Sequence, residues 1–298
     1  MFFFKLLRFT INHPLNYDQK IGSILRFVKW QIASRIAPGP IVYEWINGSK
    51  FLVEIGKMGL TWNIYAGLHE FNDMGFLLHA LRNEDLFVDV GANAGAYTIL
   101  ACAAVGARGF AFEPTPDTYK RLVENVRLNH LDERMVCLNK GVGTEPGHLA
   151  FALGDDSSMN HILAADERGA DTTNVEVTTL DASLQGESPF LMKIDVEGYE
   201  LPVLEGGSQI LQKNSALHAV IMELNGSGER YGYDESRILE LMSDYGFQTF
   251  SYNPLTRSLV SLEGKKSKSD NTLFIRNMAF VEERLRNAAK VSVHGHSF

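Results

Sequence analysis

The chain has 298 residues, 45% hydrophobic and 21% charged, enough to bury one large core or a core with a smaller appendage. Its net charge of −8 excludes a basic nucleic-acid-binding domain, yet residues 1–40 carry six Lys/Arg against Asp18 alone, a net of +5 that leaves −13 for the rest. No stretch approaches the roughly 18 uninterrupted apolar residues of a membrane-spanning helix.

The start, Met1-Phe-Phe-Phe-Lys-Leu-Leu-Arg-Phe9, is apolar with two cations and is cut off by Asn12, His13 and Pro14. It lacks a full apolar region and a small-residue cleavage site, which argues against a signal peptide. Residues 1–12 are expected to pack on their own domain, to pack on a second copy in a homo-oligomer, or to touch a membrane surface peripherally. Apolar residues at Ile21, Ile24, Leu25, Val28, Ile32 and Ile36 have helical spacing and stop before Pro38-Gly39-Pro40. Residues 41–46 and 50–55 read as a β-hairpin around Asn47-Gly48. Residues 56–69 read as a glycine-punctuated loop holding Trp62 and Tyr65, and residues 70–81 as a helix.

From residue 86 strand and helix alternate. Strand 87–90 leads to helix 94–105, strand 108–112, helix 118–131 and strand 135–140, with extra antiparallel strands at 147–153 and 175–179. Strand 190–194 precedes helix 199–212, strand 219–223 precedes helix 235–245, and strands 247–252 and 272–276 close the pattern. Such alternation predicts an α/β fold with a doubly wound, mainly parallel sheet and helices on both faces. The expected division is an N-terminal helix and β-hairpin appendage (1–85), a main domain (86–278) and a C-terminal helix and tail (279–298). Cys102 and Cys137 lie in apolar segments without metal-ligand spacing and read as free thiols of a reducing cytosol.

Ligands of open α/β sheets bind beyond the carboxyl ends of the strands. Here those ends carry Asp89, Gly91, Asn93 and Gly95, then Glu113, then Asp195 and Glu197, then Glu223 and Asn225. Glu113 stands 22 residues beyond Gly91, the spacing of an acid on ribose hydroxyls. A pyrophosphate-binding turn wants glycine where Asn93 stands, and the Asp89 carboxylate suits a cationic ligand better than a diphosphate. The pattern therefore favours S-adenosylmethionine over NAD.

The segments Phe87-Val-Asp-Val-Gly-Ala-Asn-Ala-Gly-Ala-Tyr-Thr98, Phe112-Glu-Pro-Thr-Pro116 with Asn125 and Asn129, and Thr179-Leu-Asp181 resemble the FkbM family of S-adenosylmethionine-dependent methyltransferases. So do Met192-Lys-Ile-Asp-Val-Glu-Gly-Tyr-Glu200, Val203-Leu-Glu-Gly-Gly207 and Glu223. The resemblance implies a class I methyltransferase-like, seven-stranded sheet. It implies that Asp89, Gly91, Asn93 and Gly95 hold the methionine end of the cofactor and that Glu113 holds its ribose. It further implies an O-methyltransferase acting on a hydroxyl of a sugar, glycan or secondary metabolite.

A sugar hydroxyl is a poor nucleophile, so a carboxylate or imidazole within reach of its proton is expected. Asp195, Glu197 and His161 are the candidates, with Glu223 behind them. Asn160 beside His161, and Asn225, Arg230 and Tyr231 in the loop after strand 219–223, are candidate acceptor contacts. Glu200 reads instead as a helix-start acid complementing the dipole. Asp195, Glu197 and Glu223 are oxygen ligands of the kind Mg²⁺ accepts, but no spacing demands a metal and none is expected. The expected location is cytoplasmic, peripheral at the inner membrane face if the basic N-terminus binds lipid. The competing readings are a Rossmann-type NAD(P) oxidoreductase and a non-catalytic, cofactor-binding interaction module.

Overall fold

The computed structural model describes residues 2–36, 39–54, 58–154, 161–163 and 171–298. Helices α1 (Phe2–Asn12) and α2 (Lys20–Ile36) precede the hairpin β1 (Ile41–Glu44) and β2 (Lys50–Val53), then helices α3 (Met58–Ala66) and α4 (Phe71–Ala80). Strand β3 (Leu86–Val90) feeds α5 (Ala96–Ile99), which runs on as a π-helical stretch, Leu100–Val105. Strand β4 (Arg108–Phe112), helix α6 (Pro116–Leu128) and strand β5 (Met135–Leu138) follow. An insertion supplies β6 (Gly141–Val142), β7 (Gly147–Leu153), β8 (His161–Ile162) and β9 (Asp171–Thr178). Beyond it lie α7 (Leu180–Ser183), β10 (Leu191–Ile194), α8 (Glu200–Glu205), α9 (Ser208–Lys213), β11 (Ala219–Glu223) and α10 (Glu235–Asp244). The chain closes with β12 (Gln248–Asn253), β13 (Ser258–Ser261), β14 (Asn271–Ile275), α11 (Met278–Arg286) and the hairpin β15 (Ser292–Val293) and β16 (His296–Ser297).

Among the described residues the main sheet has eight strands in the order β13-β12-β14-β11-β10-β3-β4-β5. The five from β11 to β5 are mutually parallel, whereas β14 runs antiparallel to both β11 and β12. This is the doubly wound, mainly parallel sheet expected; β13, paired antiparallel with β12, adds an eighth strand beyond the seven. The winding reverses between β3 and β10, so a crevice opens past their carboxyl ends. Strand alternation sorts side chains to two faces. Phe87, Leu191 and Ile221 join one apolar cluster, and Val88, Val90, Met192 and Val220 the other. The first cluster also contains Leu15, Phe27, Phe51 and Leu77, so the N-terminal elements share a core with the sheet.

Two expectations need correction, and a third is met with an added detail. Residues 58–66, read as part of a loop, form α3, because Leu60, Ile64 and Tyr65 recur at helical spacing and are buried. Helix 199–212 is two short helices broken at Gly206-Gly207, where a Cβ on Gly206 would collide with the Gly143 carbonyl. The apolar residues of 21–36 do form a helix, but they face outward; the buried side of α2 is Ser23, Phe27, Trp30 and Ser34.

Helix α11 fastens to the start of β3 through Arg284, which pairs with the Asp85 carboxylate and covers the Phe190 ring at 4.2 Å. Both side chains are largely buried, so removing one charge strands the other. Arg284→Ala is expected to lower the unfolding free energy by about 3 kcal/mol in a urea melt.

Candidate functional site

The turn after β3 is closed upon itself. Gly91 and Ala92 donate their N–H groups to the Phe112 carbonyl, at 3.0 and 2.9 Å, and Gly95 donates to Ala92. Asn93 N–H goes to Glu113 Oε2 at 3.0 Å, and Ala94 N–H to the Asn93 side chain at 2.7 Å. Every backbone donor from Gly91 to Gly95 is thus engaged within the protein. Gly91 has φ +81°, and a Cβ there would run into the Asp195 carbonyl, so glycine alone permits the two loops to touch. Asn125 and Asn129 of α6 explain themselves here. Asn125 donates to the Ala94 carbonyl and accepts from Leu52 N–H, while Asn129 takes both backbone groups of Lys50, so together they clamp the hairpin beside the turn.

A cavity of about 240 Å³ lies over this turn, walled by Asp89, Asn93, Asp195, Glu197 and Glu223 on the sheet side. Leu60, Trp62, His69 and Glu70 from α3 and the α3–α4 connection form its other wall. A second cavity of about 260 Å³ shares Leu60, Asn93 and Ala94 with it and extends towards Asp117 and Arg121. The two cavities adjoin at Leu60, Asn93 and Ala94, the second lying between β2 and α6.

The first cavity is acidic around one buried cation. Lys193 Nζ, on a side chain 1% exposed, binds Asp195 Oδ2 at 3.0 Å and Asn271 Oδ1 at 2.9 Å, and lies 5.3 Å from the Tyr97 ring centre. Asn271 passes the link on to Glu70 at 2.8 Å, and Tyr97 donates its hydroxyl to the same carboxylate at 2.6 Å. Burial alone would drag the ammonium's pKa down, but Asp195, Glu70 and Glu223 together hold it above its ordinary value.

The carboxyls feel the opposite pressure. Burial pushes Asp89 up to about 6, although Thr98 donates to it at 2.6 Å. Glu197 rises to about 7 through burial and the nearby Asp195 and Glu200 charges. Burial and Asp195 also raise Glu223, whose Oε2 is buried with no hydrogen-bond partner among the described residues. Asp195, Glu197 and Glu223 present oxygens all within 4.8 Å of one another.

Not every expected residue reaches the cavity. Glu113, 6% exposed, lies beneath the turn and spends its oxygens on Asn93 N–H and on the Thr115 backbone and hydroxyl. One of its acceptor sites remains for a further hydroxyl. His161 sits on β8, opposite Ala152 in the small sheet. Tyr231 donates to the Ile162 carbonyl at 2.7 Å and packs edge-on against Tyr199. Asn225 caps its own turn through Ser227 N–H, and Arg230 is exposed, felt by Glu197 as a neighbouring charge. Asn160 falls outside the described residues. Glu200 opens α8 and accepts from Val196 and Gly198 N–H, so it holds the loop that presents Asp195 and Glu197.

Sequence reasoning passed over Trp62, His69, Glu70, Tyr97 and Asn271. The one available signal was Lys193, a lone charge inside an otherwise apolar strand.

Among known proteins, the Methyltransferase FkbM domain matches residues 89–249. The hexuronic acid methyltransferase AglP of Haloferax volcanii is 28% identical over 210 residues, which span 70% of this chain and 82% of that protein. The methyltransferase sdnD of Sordaria araneosa is 28% identical over 169 residues, 46% of this chain and 65% of that protein. The solved structure of the putative transferase PH0793 of Pyrococcus horikoshii has a TM-score of 0.39 at 17% identity, covering 80% of this chain and 73% of that one.

The raised Asp89 carboxyl has a measurable consequence for the ligand-free protein. Its proton stays on in the native state up to about 6, whereas the unfolded chain releases it near 3.8, so ionisation over that interval favours unfolding. Compared with Asp89→Asn, the wild type is expected to lose melting temperature as pH rises from about 4 to about 6, and to keep a constant difference above it.

Proposed function

The chain belongs to the FkbM methyltransferase family, and on that premise we propose that it transfers a methyl group from S-adenosylmethionine to a hydroxyl of a sugar, carried by a glycan, glycolipid or secondary metabolite. The observation that carries the donor is the engaged turn. A dinucleotide needs free N–H groups to cradle its pyrophosphate, and the donors from Gly91 to Gly95 are already taken. A cavity lined by carboxyls whose ionised forms are disfavoured by burial suits a ligand that brings positive charge, because that charge stabilises the ionised forms. The residues therefore fit the cofactor: Asp89, Gly91 and Asn93 would frame its cationic end, Gly95 would close the turn behind them, and Glu113 lies beneath the turn for a ribose hydroxyl.

Bound there, S-adenosylmethionine would supply the methyl group as an electrophile on sulfur. The protein's own task is to align the acceptor oxygen and to take its proton. Glu197 is assigned as the general base. It lines the cavity, and its pKa of about 7 sets it near the value at which proton removal is most effective at neutral pH. Asp195, held by Lys193, is the fixed charge beside it. This reading invokes no metal; Lys193 is the cation that Asp195 binds.

The acceptor class rests on AglP, which methylates a hexuronic acid. Trp62, stacked on His69 with ring centres 5.3 Å apart, offers an apolar wall for a sugar ring. An anionic sugar needs a counter-charge among these acids, and Arg230, exposed near Glu197, provides one. In this reading Asn225 and Tyr231 shape the loop that carries Arg230.

Titration calorimetry with S-adenosylmethionine and with NAD tests the donor; tight NAD binding without sulfonium binding overturns it. Glu197→Gln is expected to cut kcat by about 10²–10⁴-fold and leave the donor dissociation constant within a few-fold. Wild-type kcat should rise with pH and level off above about 7, and the variant should lose that limb.

A further inference from the structure

Helix α2 presents an apolar stripe to solvent. Ile21, Ile24, Leu25, Val28, Ile32 and Ile36 fall on one side of it, with Ile21 77% and Ile36 76% exposed. Helical rotation of about 100° per residue places Lys20 on one edge of this stripe and Lys29 on the other. The helix contains no acidic residue. Its opposite face is committed: Phe27 packs on Tyr65 of α3 at 5.1 Å between ring centres, and Gln31 donates to the Tyr65 hydroxyl at 2.8 Å. The stripe is therefore surface that the fold leaves over, not a core face waiting for its own chain.

We propose that α2 lies flat on an anionic lipid surface, its apolar stripe at the acyl boundary and Lys20 and Lys29 against headgroup phosphates. An apolar face bordered by cations along a single helix is the arrangement that binds in the plane of a bilayer interface. Charge complementarity selects this occupant. Residues 1–40 carry +5 on a chain whose remainder carries −13, so an anionic surface attracts this end and repels the other, which orients the protein. A second copy of the chain is the poorer partner, since pairing α2 with itself sets like charges along both edges. No described helix is long and apolar enough to cross a membrane, so the contact is peripheral. The position also has use: α3, on which α2 rests, carries Leu60 and Trp62 to the cavity, so an acceptor anchored in lipid would lie one helix away from its site.

Flotation on a density gradient tests this. The wild type should float with vesicles of equal phosphatidylcholine and phosphatidylglycerol, and float several-fold less with phosphatidylcholine alone or in high salt. Ile21→Glu combined with Leu25→Glu and Val28→Glu should abolish flotation and leave methyl transfer to a soluble acceptor unchanged. Should that variant fail to fold, Lys20→Glu with Lys29→Glu serves; it should lose several-fold of the anionic-vesicle binding and keep its activity. A wild type that stays unbound with anionic vesicles overturns the proposal, as does flotation unaffected by these variants. A wild-type dimer that the triple variant converts to monomer, with no flotation, would give the stripe to a second copy and overturn it equally.

Discussion

One buried ammonium underlies the arrangement of the site. Lys193 is the one charge in a strand of otherwise apolar residues, and left unpaired there it would cost several kcal/mol. Its partners come from three separate regions: Asp195 two residues on, Asn271 from β14, and through Asn271 the Glu70 carboxylate ahead of α4. Satisfying Lys193 therefore joins the N-terminal elements, the centre of the sheet and its antiparallel edge at one point. Remove the ammonium, and Asp195, Glu70 and Glu223 become a set of mutually repelling acids with no counter-charge. The cavity is acidic because the cation at its base only partly compensates the carboxyls around it.

The sheet and the residues at its strand ends were legible in the sequence because both follow from local pattern. Strands 108–112 and 219–223 emerge with the boundaries read from their apolar runs, and the glycine turn lies where its spacing put it. What local pattern does not carry is direction. In α2 the periodicity correctly indicates a helix, yet period alone does not say which side the protein keeps, and Phe27 and Trp30 took the inner side. Residues 56–69 misled differently: three glycines suggested a loop, while the burial of Ile64 and Tyr65 repaid the helix that formed.

The part of the site that stayed illegible comes from pairings distant in sequence. Tyr97 reaches back 27 residues to Glu70, and Asn271 reaches back 201 residues to the same carboxylate. No spacing rule encodes such contacts, because they are set by how α4 is laid across the sheet. Glu113 shows the converse. Its spacing from Gly91 was readable, but its engagement under Asn93 depends on a side-chain choice made only after β4 and the turn are side by side.

The contact of Gly91 with the Asp195 backbone binds the fate of the two loops together. Neither can be enlarged alone, since a side chain at 91 requires the loop carrying Asp195 and Glu197 to withdraw. A change that moves the backbone of residues 195–197 will therefore disturb the turn at 91–95 as well, whereas a change confined to their side chains leaves this contact intact. Among the described residues, the walls supplied by α3 and by the α3–α4 connection carry no such backbone contact with the turn, so their side chains can be exchanged independently of it.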